Sequence, residues 1–181
     1  MRKIITGVMA AAFVGAIGLF AWDTRAAEEC CEKGDMTPPL ELIAKTPIGG
    51  LHNPYNDDIE AIAKVEGRKK YLSYSCNGCH GGGGGGGMCP PLTNDTWVYG
   101  ADDDTNFRLI ALGSDKLQEL GYTRVRKEVV TGPMPPFGEI IKTSDDLWKV
   151  MAFIRSKNPS SMKKVDQPAQ TPGSNDQASA Q

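Results

Sequence analysis

The sequence predicts an all-α domain built from a few short helices and long irregular connections. Three observations lead there. Apolar residues recur at helical spacing in three separated segments. No run of residues alternates as a strand would, and no internal repeat appears. Glycine and proline clusters lie between the helical segments and interrupt any regular element. The 181 residues, 40% hydrophobic and 23% charged, suffice for one core.

From the N-terminus, Met1 to Lys3 is basic and Ile4 to Trp22 carries no charge. Thr24 and Ala26 suit the −3 and −1 positions of a signal peptidase site, so residues 1–26 read as an export signal. The rival reading is an uncleaved membrane anchor. Loss of residues 1–26 would take Arg2, Lys3, Arg25 and Asp23 with it. That lowers 20 basic and 22 acidic residues to 17 and 21, a net charge of −4. There is no basic stripe interleaved with aromatics, so nucleic acid is not an expected partner. Residues 27–54 form a short leader, and a domain is expected over residues 55–158.

The first domain helix starts near Asp57, with Glu60 three positions later, and runs to about Ser73. Gly67 and Tyr71 share one of its faces. Eight of the 21 glycines then fall at Gly78 and Gly81 to Gly87. Together with Pro90-Pro91 this excludes a helix over residues 81–92. Thr105 to Leu112 places Phe107, Ile110 and Ala111 at helical spacing, and Gly113 reads as a stop. A second short helix follows from Ser114 to Leu120, closed by Gly121. Gly132-Pro133-Met134-Pro135-Pro136-Phe137-Gly138 is a stiff loop. Thr143-Ser144-Asp145-Asp146 caps a last helix whose stripe is Leu147, Val150, Met151 and Ile154, and Asn158-Pro159 stops it. Residues 159–181 are polar and proline-rich, a tail too poor in apolar side chains to offset its ordering entropy.

Cys76-Asn77-Gly78-Cys79-His80 is C-x-x-C-H, the attachment pattern of a c-type haem. Two thiols three positions apart reach both vinyl groups of one porphyrin, and the adjacent imidazole meets the iron. A thioredoxin-like pair would open a helix after a strand, but this one precedes seven glycines. A zinc site could draw on Cys76, Cys79, His80 and Cys89, but export favours an oxidising compartment. For the other side of the iron, Met134 is the leading candidate axial ligand, because its proline neighbours leave it little freedom to lose. Met88 and His52 are weaker candidates, and Met151 belongs to the core stripe. Asp102-Asp103-Asp104 lacks the spacing of a calcium loop and reads as a solvated loop or helix cap.

The order of these features resembles class I cytochromes c over about Asp57 to Asn158. They are the helix with Gly67 and Tyr71, Cys76 to His80, Pro90-x-Leu92, Met134-Pro135 and the final helix. More narrowly, the glycine-rich stretch, Met88-x-Pro90-Pro91-Leu92 and Trp97-Val98-Tyr99-Gly100 resemble the soluble cytochromes c (cytochrome cL type) that serve quinoprotein methanol and alcohol dehydrogenases. The resemblance implies one haem c held by Cys76 and Cys79, with His80 and Met134 on the iron. It also implies that the Pro90 carbonyl accepts the Nδ1–H of His80 and that Leu92 packs on the haem. Trp97 and Tyr99 would reach the propionates, and Gly67 and Tyr71 would meet the last helix near Trp148 or Met151. Cys89 stands where the family usually has glycine. It is expected near the haem or bridged to Cys30 or Cys31 of the leader.

The function implied is a periplasmic electron carrier and not an enzyme. A quinoprotein (PQQ-dependent) dehydrogenase would be the donor, and another cytochrome or an oxidase the acceptor. A membrane partner arises only if the signal is retained. A five-coordinate haem enzyme or gas sensor and an anchored subunit of a dehydrogenase complex are the alternatives. The glycine run is expected to leave the haem edge uncovered for docking.

Overall fold

The computed structural model describes residues 31–128, 131–158 and 160. The export signal and nearly all of the predicted tail lie outside the described residues. Every regular element among the described residues is helical, in agreement with the all-α expectation. In chain order these are α1 (Pro39–Lys45), a 3-10 turn (Asn56–Asp58), α2 (Ile59–Ile62), a π turn (Ala63–Gly67), α3 (Arg68–Ser73), α4 (Asn77–His80), α5 (Asp103–Glu119) and α6 (Ser144–Ser156).

Helix α6 is the axis of the domain. Thr143 caps it, its hydroxyl accepting from the Asp146 N–H at 3.2 Å. Leu147, Trp148 and Met151 face one apolar cluster with Phe107, Ile110 and Ile141. Val150 and Phe153 face a second cluster with Ala63 and Tyr71. Burial thus extends beyond the expected stripe, because the helix has neighbours on more than one side. Phe107 and Trp148 pack with ring centroids 4.2 Å apart, and Tyr71 and Phe153 at 4.6 Å.

The helix predicted from Asp57 to Ser73 is continuous in direction but widens into the π turn at its centre. At the end of that turn Gly67 lies against α6. A Cβ there would stand 2.5 Å from the Lys149 carbonyl oxygen and 3.1 Å from the Phe153 Cβ. The close approach is as expected, but it falls on Lys149 and Phe153 rather than on Trp148 or Met151. Trp148 is turned to the other cluster by its contact with Phe107.

The leader is part of the core. Leu42 and Leu51 are buried in the cluster that holds Phe107 and Trp148. Its polar backbone groups are taken up by charged side chains of α5 and α6. The Leu51 and Asn53 N–H groups donate to Asp104 and Asp103, at 3.2 and 2.8 Å. The Gly34 N–H donates to Asp145 at 2.8 Å.

The Asp102–Asp104 run is a helix cap with two buried ion pairs rather than a solvated loop. All three side chains are buried. Asp102 caps α5, its carboxylate accepting from the Thr105 N–H at 2.7 Å. Asp103 pairs with buried Arg155, whose Nε lies 3.0 Å away. Asp104 pairs with Arg108 at 2.8 Å, and Arg108 also donates to the Thr46 and Pro47 carbonyls. No group of three or more metal-ligating side chains occurs among the described residues, and no helix among them is long and apolar enough to cross a membrane.

Candidate haem site

Tyr74 ends α3, and Ser75 with φ 60° reverses the chain into α4, whose first turn carries the C-x-x-C-H residues. The Cys76 N–H donates to the Tyr71 carbonyl and the His80 N–H to the Cys76 carbonyl, which fixes α4 against α3. His80 Nδ1 lies 2.9 Å from the Pro90 carbonyl oxygen. That bond orients the ring and leaves Nε2 as the nitrogen available to a metal. Burial lowers the His80 pKa, partly opposed by the Pro90 carbonyl, so the neutral imidazole that ligation needs is favoured. Burial also raises the Cys76 thiol, to about 11.

These residues border a cavity of about 390 Å³. His80, Cys76 and Pro90 form one wall. Met134 enters from the Pro133–Pro136 loop, and Leu92, Ile110 and Val150 supply apolar surface. Trp97 and Tyr99 also border it. The indole N–H of Trp97 donates to the Leu92 carbonyl at 2.9 Å, so its single donor is engaged within the loop and not turned to a propionate. Burial raises the Tyr99 pKa, with Arg124 opposing the shift. Arg124, Asn106 and Gln118 bring further polar groups to the cavity, a role that nothing in their spacing announced.

The glycine run does not border this cavity. It folds behind the motif: the Gly86 N–H donates to the His80 carbonyl at 2.9 Å and the Leu92 N–H to the Gly84 carbonyl at 2.8 Å. Tyr71 anchors its start, the hydroxyl donating to the Gly81 carbonyl at 2.7 Å. Gly81, Gly84 and Gly86 have φ of 77°, 78° and 95°, where a side chain is strained. The run is a compact turn that supports His80 from behind.

Of the two places expected for Cys89, it takes the one beside the Cys76–His80 motif and is not bridged to the leader. Cys76, Cys79 and Cys89 are free thiols, while Cys31 is disulfide-bonded. The Cys89 N–H donates to the Cys79 carbonyl at 3.3 Å, which holds Cys89 beside the motif. Burial first, and then the neighbouring Cys79 thiol, raise its pKa to about 11.

Residues 64–158, more than half of the chain, match the family model for cytochrome c. The chain belongs to the cytochrome c family. No curated protein and no solved structure matches it. A cytochrome c domain carries covalently bound haem c. The cavity suits that group: it has apolar walls, the Cys76 thiol, an imidazole oriented by a carbonyl, and a thioether side chain on a separate loop, while Cys79 lies on the same turn of α4 outside its lining.

Met134, Pro90 and the helix end at Gly113 were legible in the sequence; the role of Ser114 was not. In this cytochrome α5 is two helical segments that meet at a kink at Gly113, whose φ 79° and ψ 163° are non-helical, so the expected stop stands. The Pro133–Phe137 loop docks on that break. The sequence offered only a glycine followed by a serine between two apolar stripes.

Proposed function

We propose that this cytochrome c carries single electrons in the periplasm. Cys76 and Cys79 would hold the haem through thioethers, and His80 and Met134 would ligate its iron. When bound, the haem iron supplies the one-electron couple. The observation that carries this reading is the His80–Pro90 hydrogen bond at the wall of a cavity that Met134 also borders. Pro90 keeps Nδ1 protonated and Nε2 directed to the metal. The proline-flanked Met134 would supply a soft ligand that raises the potential and leaves no position on the iron for substrate. A protein with both positions filled and no open coordination site is suited to electron transfer rather than to bond-making.

The donor proposed is a PQQ-dependent methanol or alcohol dehydrogenase, and the acceptor another cytochrome or an oxidase. The support is the resemblance of Met88 to Gly100 to the cytochrome cL type and the export-like N-terminus. Contacts of this kind are small and transient.

In holoprotein, Met134→Ala is expected to lower the reduction potential and open the iron to CO and cyanide. An unchanged potential and spectrum would remove Met134 from the iron, and CO binding by the untreated protein would favour the five-coordinate alternative. Stopped-flow reduction by purified quinoprotein dehydrogenases tests the donor. Failure with all of them leaves a cytochrome c with a different donor.

A further inference from the structure

Two helical segments that meet at a kink leave N–H and C=O groups at their facing ends without helical partners. At Gly113 the Met134 loop supplies those partners. The Phe137 N–H donates to the Ile110 carbonyl at 3.0 Å and the Gly138 N–H to the Ala111 carbonyl at 2.9 Å. The Ser114 N–H donates to the Met134 carbonyl at 2.9 Å. In return the Met134 N–H donates to the Ser114 Oγ, also at 2.9 Å. One residue therefore holds both polar backbone groups of Met134. Gly113 permits the approach, since a Cβ there would stand 2.8 Å from the Met134 oxygen and 2.9 Å from the Pro136 nitrogen. Ser114 is buried and borders the same cavity as Met134.

We infer that Ser114 is a positioning residue that clamps the Met134 backbone, so that the thioether is held on the haem iron. This rests on the assignment of Met134 as axial ligand. Pro133 and Pro135 fix φ on either side of Met134. With N–H and C=O also bound, only side-chain torsions remain free, and departure of the sulfur from the iron requires the clamp to open or the side chain to swing alone. Without the hydroxyl, the Met134 N–H must find water, and the loop moves outward to reach it.

The test is cyanide binding to ferric holoprotein, in which the iron–sulfur bond breaks and an iron–carbon bond forms with no change in oxidation state. Ser114→Ala is expected to bind cyanide about tenfold faster, equivalent to about 1.4 kcal/mol, the net worth of one hydrogen bond. Its sulfur-to-iron charge-transfer band should weaken, and Ser114→Thr, which keeps the hydroxyl, should return both towards wild type. Gly67→Ala, which loosens the fold away from the loop, gives the rate that general destabilisation produces. If Ser114→Ala is no faster than Gly67→Ala, the clamp is refuted while Met134 remains the ligand. If Met134→Ala itself binds cyanide no faster than wild type, the ligand assignment fails and the clamp falls with it. Should Ser114→Ala not fold, amide exchange of ferrous wild-type holoprotein decides. A protected Met134 N–H supports the clamp, and exchange as fast as an open loop overturns it.

Discussion

Gly67→Ala tests the packing that holds α6 against the helix leading to the haem motif. The new methyl carbon would sit 2.5 Å from the Lys149 carbonyl oxygen, where ordinary contact begins at 3.4 Å. The obstacle is helix backbone and cannot rotate away, so α6 and the π turn must separate by roughly 0.9 Å on that difference. A gap of that size forfeits a quarter to a half of the dispersion energy across the seam, about 1–3 kcal/mol as overpacking is usually measured. Alanine returns up to about 1 kcal/mol, because glycine is the more flexible residue in the unfolded chain. Gly67 has no positive φ, so no backbone strain enters. The net expectation is a loss of about 1–2 kcal/mol, or a fall in Tm of about 4–8 °C for a domain of this size. Thermal unfolding of holoprotein followed at the haem absorbance measures it. A Tm equal to or above wild type would refute the close-contact argument. So would an equal loss in Gly82→Ala, where a Cβ meets nothing within 4 Å.

Other expectations follow from the same geometry. Gly84→Ala should be destabilised by about 1–2 kcal/mol from its positive φ, while Gly82→Ala and Gly83→Ala stay within about 0.5 kcal/mol of wild type; denaturant midpoints of the three variants check this. Asp103→Ala leaves the buried Arg155 guanidinium without its carboxylate, and a loss of about 3–5 kcal/mol is expected in urea titration. Burial pushes the Asp145 carboxyl up, but Lys149, the Tyr55 hydroxyl and the Gly34 N–H outweigh it and hold the pKa below the ordinary carboxylate value. Its contribution is therefore complete above about pH 3.9 and is lost as pH falls through the lower folded value. Asp145→Asn should be less stable by about 2 kcal/mol at pH 7 and should lose less stability than wild type between about pH 4 and 2; parallel stability curves would contradict the assignment.

The parts of the fold that were legible are those specified by neighbours in sequence. Helix α6 announced itself by Thr143 and its stripe, and the haem motif by five consecutive residues. The parts that were not legible depend on partners far along the chain. Nothing within Gly34 to Leu51 shows that its N–H groups will meet Asp145 and Asp104. Nothing within Asp102-Asp103-Asp104 shows that Arg155 and Arg108 will neutralise two of the three charges. Gly113 signals a helix stop by local rules and the helix does break there, but nothing local shows that a loop twenty residues on supplies the partners for the broken ends. The glycine run looked permissive, and only its hydrogen bonds to His80 and Leu92 reveal it as a fixed turn.

The leader gives the folding unit a different extent from the stretch of chain that matches the family model. That match starts at residue 64, yet Leu51 fills a site in the main core, and the carboxylates of Asp103 and Asp104 receive N–H groups from residues 51 and 53. A fragment cut at the start of the match would expose the Phe107–Trp148 pair and strip two buried carboxylates of donors on which their burial depends. The N-terminal segment thus works as a tether that ties the N-terminal ends of α5 and α6 together, and the folding unit of this cytochrome includes the chain from Gly34 to Asn53.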